Sequence, residues 1–203
     1  MRYLSLAGIW TPRGYDSIAR YYDLFFKCFF HIPEKARRRV VEDLNSGSIL
    51  DVACGTGVLL AMAHKRGLRC YGVDTSQGML NRAKNRVPGA KFTKANFYDI
   101  PYPDGYFDYV VSTNAIGAVG VDAKKVLSEM LRVCKDGGEI RIADYSKAPT
   151  VTWKSRILTK FVIFIGDFPQ DYLRIFRELG YEPKVEVLGE HGLYQLTRIK
   201  KVH

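Results

Sequence analysis

Two carboxylates around a glycine turn are the residues in this chain whose types and spacing best suit ligand chemistry. In Asp51-Val-Ala-Cys-Gly55-Thr-Gly57-Val58 an acid precedes two glycines, and Asp74 follows 17 residues after Gly57. Glycines let a backbone turn tightly and let a ligand approach where a Cβ would intrude. An acid at the end of the next strand can accept both hydrogen bonds of a ribose diol. Asp51 narrows the ligand further. A carboxylate at the mouth of the turn repels a pyrophosphate resting on the helix N-terminus. Leu60 also stands where a dinucleotide fingerprint has its third glycine. The pair therefore suits a ligand with an ammonium group, a ribose diol and no phosphate. S-adenosylmethionine has that constitution and NAD does not. The other reading of Asp51 is a cap for the turn that follows it.

Such a turn needs a strand leading in and a helix leading out. Residues 48–53 read as a short apolar strand, 58–66 as a helix, 69–73 as a second strand and 77–86 as a second helix. Strands over 90–95 and 107–113 follow, then a helix over 122–134 and, after Asp136-Gly137-Gly138, a fifth strand over 139–144. This alternation predicts a doubly wound α/β fold, a parallel sheet covered on both faces. A helix over 170–179 precedes strands over 185–188 and 193–199, joined only by Gly189-Glu190-His191-Gly192. That connection makes an antiparallel hairpin, because a parallel crossover takes about a dozen residues. Ahead of the first strand, residues 15–30 read as an aromatic-rich helix, and 34–44 as a second helix carrying Arg37, Arg38 and Arg39. We expect one structural domain in which residues 1–46 form a helical lid or cap and 47–203 hold the cofactor.

The 203 residues suit one domain, and 47% hydrophobic content is ordinary for a chain with a substantial core. Lys+Arg 31 against Asp+Glu 21 leaves a net charge of +10. That balance favours anionic partners, or serves solubility alone. Cys28, Cys54, Cys70 and Cys134 form no C-x-x-C pair, so neither a metal site nor a disulfide framework is expected, and a cytoplasmic setting is. Residues 1–10 lack the apolar segment of a signal peptide. The apolar run 161–165 is far shorter than the roughly 20 residues a membrane span needs. Peripheral membrane contact stays compatible with these features.

Ile49-Leu-Asp-Val-Ala-Cys-Gly-Thr-Gly57, with Tyr71-Gly-Val-Asp-Thr-Ser-Gln-Gly-Met-Leu80 after it, resembles the first two motifs of class I S-adenosylmethionine-dependent methyltransferases. The branch it resembles, methyltransferase type 11-like, includes ubiquinone/menaquinone C-methyltransferases and phospholipid N-methyltransferases. The likeness runs from about Tyr15 to the C-terminal hairpin. It implies seven strands in the order 3-2-1-4-5-7-6, with the cofactor over the carboxyl ends of the first strands. It implies that Asp51, Ala53, Gly55 and Gly57 surround the methionine part, that Asp74 holds the ribose, and that Thr75 and Met79 lie beside the adenosine. Asn96 stands where relatives usually place an Asp for the adenine amino group, with Asp99 as the other candidate and Phe97 as an apolar wall. An uncharged amide there accepts the bond more weakly than a carboxylate. Thr113, Asn114 and Ala115 are implied to face the sulfonium. The pattern Tyr-Asp-x-Ile-Ala-x-x-Tyr-Asp implies lid contacts for Tyr15 and Tyr22, although an aromatic helix of this kind also makes ordinary core.

Methyl transfer from a sulfonium is an in-line displacement that depends chiefly on positioning and exclusion of water. Tyr22, Asn114 and Asp144 are the candidate catalytic residues. Asp144, Tyr145, His31 and His191 are the side chains able to take a proton from an acceptor. Asp144-Tyr-Ser-Lys147 resembles the Glu-Phe-Ser-Lys that follows strand five in quinone methyltransferases. Residues 153–166 mix Lys154, Arg156 and Lys160 with bulky apolar side chains at helical spacing. That composition fits an interfacial helix on anionic lipid or a core helix with its cations in water. We expect a small-molecule or lipid-like acceptor, a quinone precursor or a phospholipid head group, with peripheral contact on an anionic membrane. Nucleic acid is disfavoured, because Asn114-Ala-Ile-Gly lacks the Asn/Asp-Pro-Pro-aromatic pattern of base-amine methyltransferases and no RNA-binding module is evident. An RNA-directed methyltransferase and a non-catalytic S-adenosylmethionine-binding protein are the alternatives.

Overall fold

The computed structural model describes Gly14, Asp16 and residues 32–118, 120–147, 150, 152–164 and 167–202. Its centre is β1 (Ser48–Val52), five consecutive buried residues. A strand buried on both faces reads as a continuous apolar run, and in this one only Ser48, at its start, and Asp51 are polar. β1 pairs in parallel with β2 (Arg69–Asp74) on one side and β4 (Phe107–Thr113) on the other. β3 (Lys91–Lys94) lies outside β2, and β5 (Cys134–Tyr145) outside β4, both parallel to their neighbours. β7 (Tyr194–Lys200) pairs antiparallel with β5 and with β6 (Lys184–Gly189). The seven strands run in the order β3-β2-β1-β4-β5-β7-β6, the order implied by the resemblance. A sheet wound outward in both directions from β1 and β4 leaves a crevice at their carboxyl ends, where ligands bind in such folds.

Helices cover both faces. On one, Leu50, Val52, Val110 and Ile142 pack with α4 (Ala123–Val133) and α6 (Tyr172–Glu178) through Val126, Met130, Ile175 and Phe176. On the other, Ile49, Val111 and Ala143 pack with α1 (Ile32–Val41) and α2 (Val58–His64) through Ala36, Val40, Leu60 and Ala63. α3 (Gln77–Arg86) adds Leu80 to that layer. It begins at a Ser76 cap whose hydroxyl accepts the Met79 N–H at 3.1 Å. α5 (Trp153–Phe164) follows β5. Among the described residues no helix is long and apolar enough to cross a membrane.

β5 departs furthest from the sequence reading. β5 starts at Cys134 rather than 139, because the chain leaves α4 directly into extended backbone and takes up the Asp136-Gly-Gly segment as an irregularity between Phe107 and Tyr109 of β4. Gly138 permits this, since a Cβ there would sit 2.9 Å from the Asp108 carbonyl oxygen. α1 is also stitched to the sheet: the buried Arg141 of β5 donates to the Val40 carbonyl at 2.7 Å and to the Asp43 carboxylate at 3.0 Å. Residues 36–44 thus share the core of the sheet and add to it Ala36, Val40, Val41 and Leu44.

Candidate functional site

A cleft of about 260 Å³ opens at the carboxyl ends of β1, β2 and β4. Its floor is the turn from β1 into α2. Ala53 at φ 60°, Gly55 at φ 51° and Gly57 at φ 76° all take left-handed backbone. A non-glycine there stores strain that is retained where the surroundings over-determine it. The turn is fixed by the Cys54 N–H to the Val73 carbonyl, 3.0 Å, and by the Gly57 N–H to the Cys54 carbonyl, also 3.0 Å. Gly57 itself does not line the cleft; it starts α2 and lets that helix lie against Ala83, whose Cβ would be 3.0 Å from a Cβ at 57.

The two acids differ in how they are satisfied. Asp74, at the end of β2, accepts the Gly55 N–H at 2.8 Å on one oxygen and the Ser76 N–H at 2.9 Å on the other. Burial still pushes its carboxyl above the usual range, against those hydrogen bonds. Each oxygen keeps a lone pair for a further donor. Asp51 is 2% exposed, and its Oδ1 is buried without a hydrogen-bond partner among the described residues. Desolvation pushes its carboxyl up to about 8; the Arg37 guanidinium opposes the rise and Asp74 adds to it. A buried carboxyl left unpaired is costly unless something comes to it. Arg37 reaches the same cleft from α1. What this floor lacks is a donor for Asp51 Oδ1, and an ammonium supplies one; the residues present fit the amino-acid end of S-adenosylmethionine.

The wall after β4 is shaped from behind. Asn114 takes left-handed backbone at φ 53°. The Tyr194 hydroxyl of β7 donates to its Oδ1. Asp144, 1% exposed, lies outside the cleft lining. Its Oδ2 accepts the N–H groups of Ala115, Ile116 and Gly117 at 3.3, 3.1 and 3.3 Å, and the Tyr172 hydroxyl at 3.1 Å. Its other oxygen accepts its neighbour's N–H at 2.8 Å. The structure therefore puts Asp144 behind the loop and not in reach of an acceptor, because these donors occupy its carboxylate.

The remaining sequence-predicted residues divide plainly. Asp51, Ala53, Gly55, Asp74, Thr75, Met79, Asn96, Phe97, Thr113 and Asn114 line one cleft. Asp99 does not; it forms a bridge with Asn96, whose Oδ1 accepts the Tyr98 N–H at 3.0 Å. Tyr145 is buried against Tyr194, and the exposed His191 sits in the turn between β6 and β7. Tyr15, Tyr22 and His31 lie outside the described residues. Asp16 is described: its carboxylate accepts the Ser76 hydroxyl at 2.5 Å and the Gly78 N–H at 2.8 Å, at the start of α3 beside Asp74. Sequence reasoning missed Arg37, Ala118 and Val121 as lining residues. Arg37 was visible only as one of three consecutive arginines. Among the described residues no group of His, Cys, Asp and Glu is arranged to hold a metal ion.

Residues 50–142 match the family model described as a methyltransferase domain. The chain is 31% identical to phosphatidylethanolamine N-methyltransferase of Cereibacter sphaeroides, over 92% of this chain and 98% of that one. It is 28% identical to demethylmenaquinone methyltransferase of Thermotoga maritima, over 87% of this chain and 90% of that one. Among solved structures it superposes on geranyl diphosphate C-methyltransferase of Streptomyces coelicolor, in complex with S-adenosyl-L-homocysteine, with a TM-score of 0.69, 18% identity, and coverage of 83% and 78% of the two chains. That last likeness is one of fold.

Proposed function

Because the chain belongs to the S-adenosylmethionine-dependent methyltransferases, we propose that it methylates a small apolar or amphipathic acceptor, either a quinone precursor or a phospholipid head group. The near full-length match to a phosphatidylethanolamine N-methyltransferase carries this reading. The match to a demethylmenaquinone methyltransferase supports it. Ala115, Ala118 and Val121, from the loop after β4, give the cleft an apolar wall consistent with such an acceptor. Peripheral contact with an anionic membrane belongs to the same proposal.

Bound in the cleft, S-adenosylmethionine supplies a methyl group activated on sulfonium for in-line displacement. The chain's own residues orient it. Asp51 accepts from the ammonium through the oxygen that has no other partner, and Arg37 lies close enough to the same region to take the carboxylate. Asp74 accepts from the ribose hydroxyls, Thr75 and Met79 flank the adenosine, and Asn96 and Phe97 receive the adenine. Gly57 contributes by setting the start of α2. Thr113 and Asn114 border the methyl end, with Asn114 held by Tyr194. Asp144 serves by fixing the loop that carries this wall. Tyr15 and Tyr22 are proposed lid contacts, a reading supported by the anchoring of Asp16 on Ser76 and Gly78.

Transfer of label from methyl-labelled cofactor into a cell extract, separated into lipid-soluble, RNA and protein fractions, tests the acceptor class. Label is expected in the lipid-soluble fraction; label confined to RNA or protein refutes the proposal.

A further inference from the structure

Helix α5 turns its bulkiest apolar side chains away from the protein. Ser155 and Val162 are buried and Leu158 and Thr159 half-buried, a face spaced i, i+3, i+4, i+7 that seats the helix. Trp153, Ile157 and Phe161, spaced by four, are 68%, 61% and 50% exposed. On a helix of about 3.6 residues per turn these three form one outward stripe. Lys154 borders the stripe on one side, Arg156 and Lys160 on the other, and the helix has no acid. None of the three cations pairs with an acid among the described residues; Lys154 Nζ lies 5.6 Å above the Trp153 ring instead.

The carboxyl end of α5 is connected to the cleft. Beyond α5 the Phe168 N–H donates to the Gly117 carbonyl at 2.6 Å, and Asp167 bridges to Ala118, a residue of the cleft wall. The Asp167 N–H also donates to the Val162 carbonyl of α5 at 3.1 Å, so the end of this helix is tied to the segment at the rim of the site, where Phe168 is itself exposed.

Three kinds of occupant would cover an apolar stripe. A second copy related by a two-fold axis would set three cations against three. RNA would satisfy the cations and leave Ile157 and Phe161 in water. An anionic bilayer satisfies both, taking the apolar face about 5–10 Å into the head-group boundary while lysines and arginines meet acidic lipid. The chain's net charge of +10 acts in the same direction. We propose that α5 docks this protein on an anionic lipid bilayer, with Trp153, Ile157 and Phe161 inserted and Lys154, Arg156 and Lys160 on the head groups. The purpose of the contact, delivery of a lipid-soluble acceptor to the adjacent cleft, rests on the acceptor reading above.

The chain has two tryptophans, so Trp10→Phe in the full-length protein leaves Trp153 as the sole reporter. Its emission is expected to shift to the blue with phosphatidylcholine vesicles containing phosphatidylglycerol, with partitioning about tenfold or more above that on phosphatidylcholine alone. Ile157→Glu and Phe161→Glu should each lower partitioning by about tenfold, as should Lys154→Glu combined with Lys160→Glu. A retained thermal shift with S-adenosylhomocysteine shows that these surface variants fold. Equal partitioning of the variants, equal binding to neutral vesicles, or a blue shift produced by RNA or by protein concentration alone overturns the proposal. Vesicle binding with label in RNA would leave docking standing and remove the acceptor reading. Label in lipid without vesicle binding would do the reverse.

Discussion

Asp74 accepts the Gly55 N–H through one carboxylate oxygen at 2.8 Å and the Ser76 N–H through the other at 2.9 Å. The acid that ends β2 is therefore aimed by the turn that follows β1 and by the cap of α3. Its hydrogen bonds hold together three elements around the cleft.

This arrangement separates the roles of the two acids by ligand. Adenosine carries the ribose and lacks the amino-acid end. Asp74→Ala should weaken adenosine, S-adenosylmethionine and S-adenosylhomocysteine alike, by roughly 10- to 100-fold, since hydrogen bonds to charged groups contribute about 1.5–3 kcal/mol. Asp51→Asn should weaken the two full ligands to a similar degree and leave adenosine unchanged. Titration calorimetry with the three ligands reads both. An adenosine affinity that falls with Asp51→Asn removes the assignment of Asp51 to the ammonium.

The Asp51 carboxyl, pushed up to about 8 by desolvation, is neutral in the apo protein at pH 7. Pairing with an ammonium needs its ionised form, so binding releases a proton below pH 8. Cofactor affinity should rise as pH approaches about 8, by nearly tenfold per unit well below it, and fall again at higher pH as the ligand's own ammonium loses its proton. Asp51→Asn should abolish this slope. Stability follows the opposite sign. A carboxyl raised in the folded state from its usual 3.8 to about 8 keeps more protons native than unfolded between those values, so its contribution is lost as pH rises through that window. Without ligand, Asp51→Asn should therefore melt higher than the parent, with a larger margin at pH 9 than at pH 5. A margin that shrinks with rising pH would contradict the burial argument.

Gly55 and Gly57 both need left-handed backbone, but a Cβ would meet different surroundings. At 55 nothing lies within 4 Å, whereas at 57 the Ala83 Cβ stands at 3.0 Å and its Cα at 3.2 Å. Left-handed backbone costs an ordinary residue about 1–2 kcal/mol. Gly57→Ala should therefore cost more than that, about 2–4 kcal/mol, as overpacking adds to strain. Gly55→Ala should cost about 1–2 kcal/mol in stability and a larger share of cofactor affinity, because its methyl group enters the cleft. Chemical denaturation and calorimetry on both variants decide it; equal stability losses would refute the packing difference.

The sheet was legible because strand-length apolar runs alternate with capped helices, and because four residues between β6 and β7 admit only a hairpin. Asp51, Gly55 and Asp74 were legible because their spacing is local to one strand-turn-helix unit and the strand beside it. Arg37 was not. Its approach to Asp51 depends on how α1 crosses the sheet, which Ala36, Val40 and the Arg141–Asp43 pair fix through contacts some hundred positions apart. Asp144 was legible as an acid after β5, and its direction was not: the partners that turn it inward are backbone N–H groups of another loop and Tyr172 of α6. The early start of β5 was hidden because Asp-Gly-Gly has the same composition in a turn as in a bulge.

Asp144 supplies the last test, since a base and a brace fail differently. As a brace it holds Ala115, Ile116 and Gly117 through Oδ2, with the Tyr172 hydroxyl as fourth donor. Asp144→Asn keeps the shape but turns an amide N–H₂ toward one set of these donors, leaving buried groups unpaired at about 1–3 kcal/mol each. The variant should melt well below the parent and lose affinity for cofactor as the loop shifts. Tyr172→Phe removes one of the donors and should show the same defects in smaller measure, about 1 kcal/mol in stability. A base would behave otherwise: Asp144→Asn would abolish kcat at saturating cofactor with little change in melting, the pH–rate profile would lose its acid limb, and Tyr172→Phe would leave stability alone. Melting curves, cofactor titrations and pH–rate profiles on the pair distinguish the two, and unchanged stability in both variants would end the brace assignment.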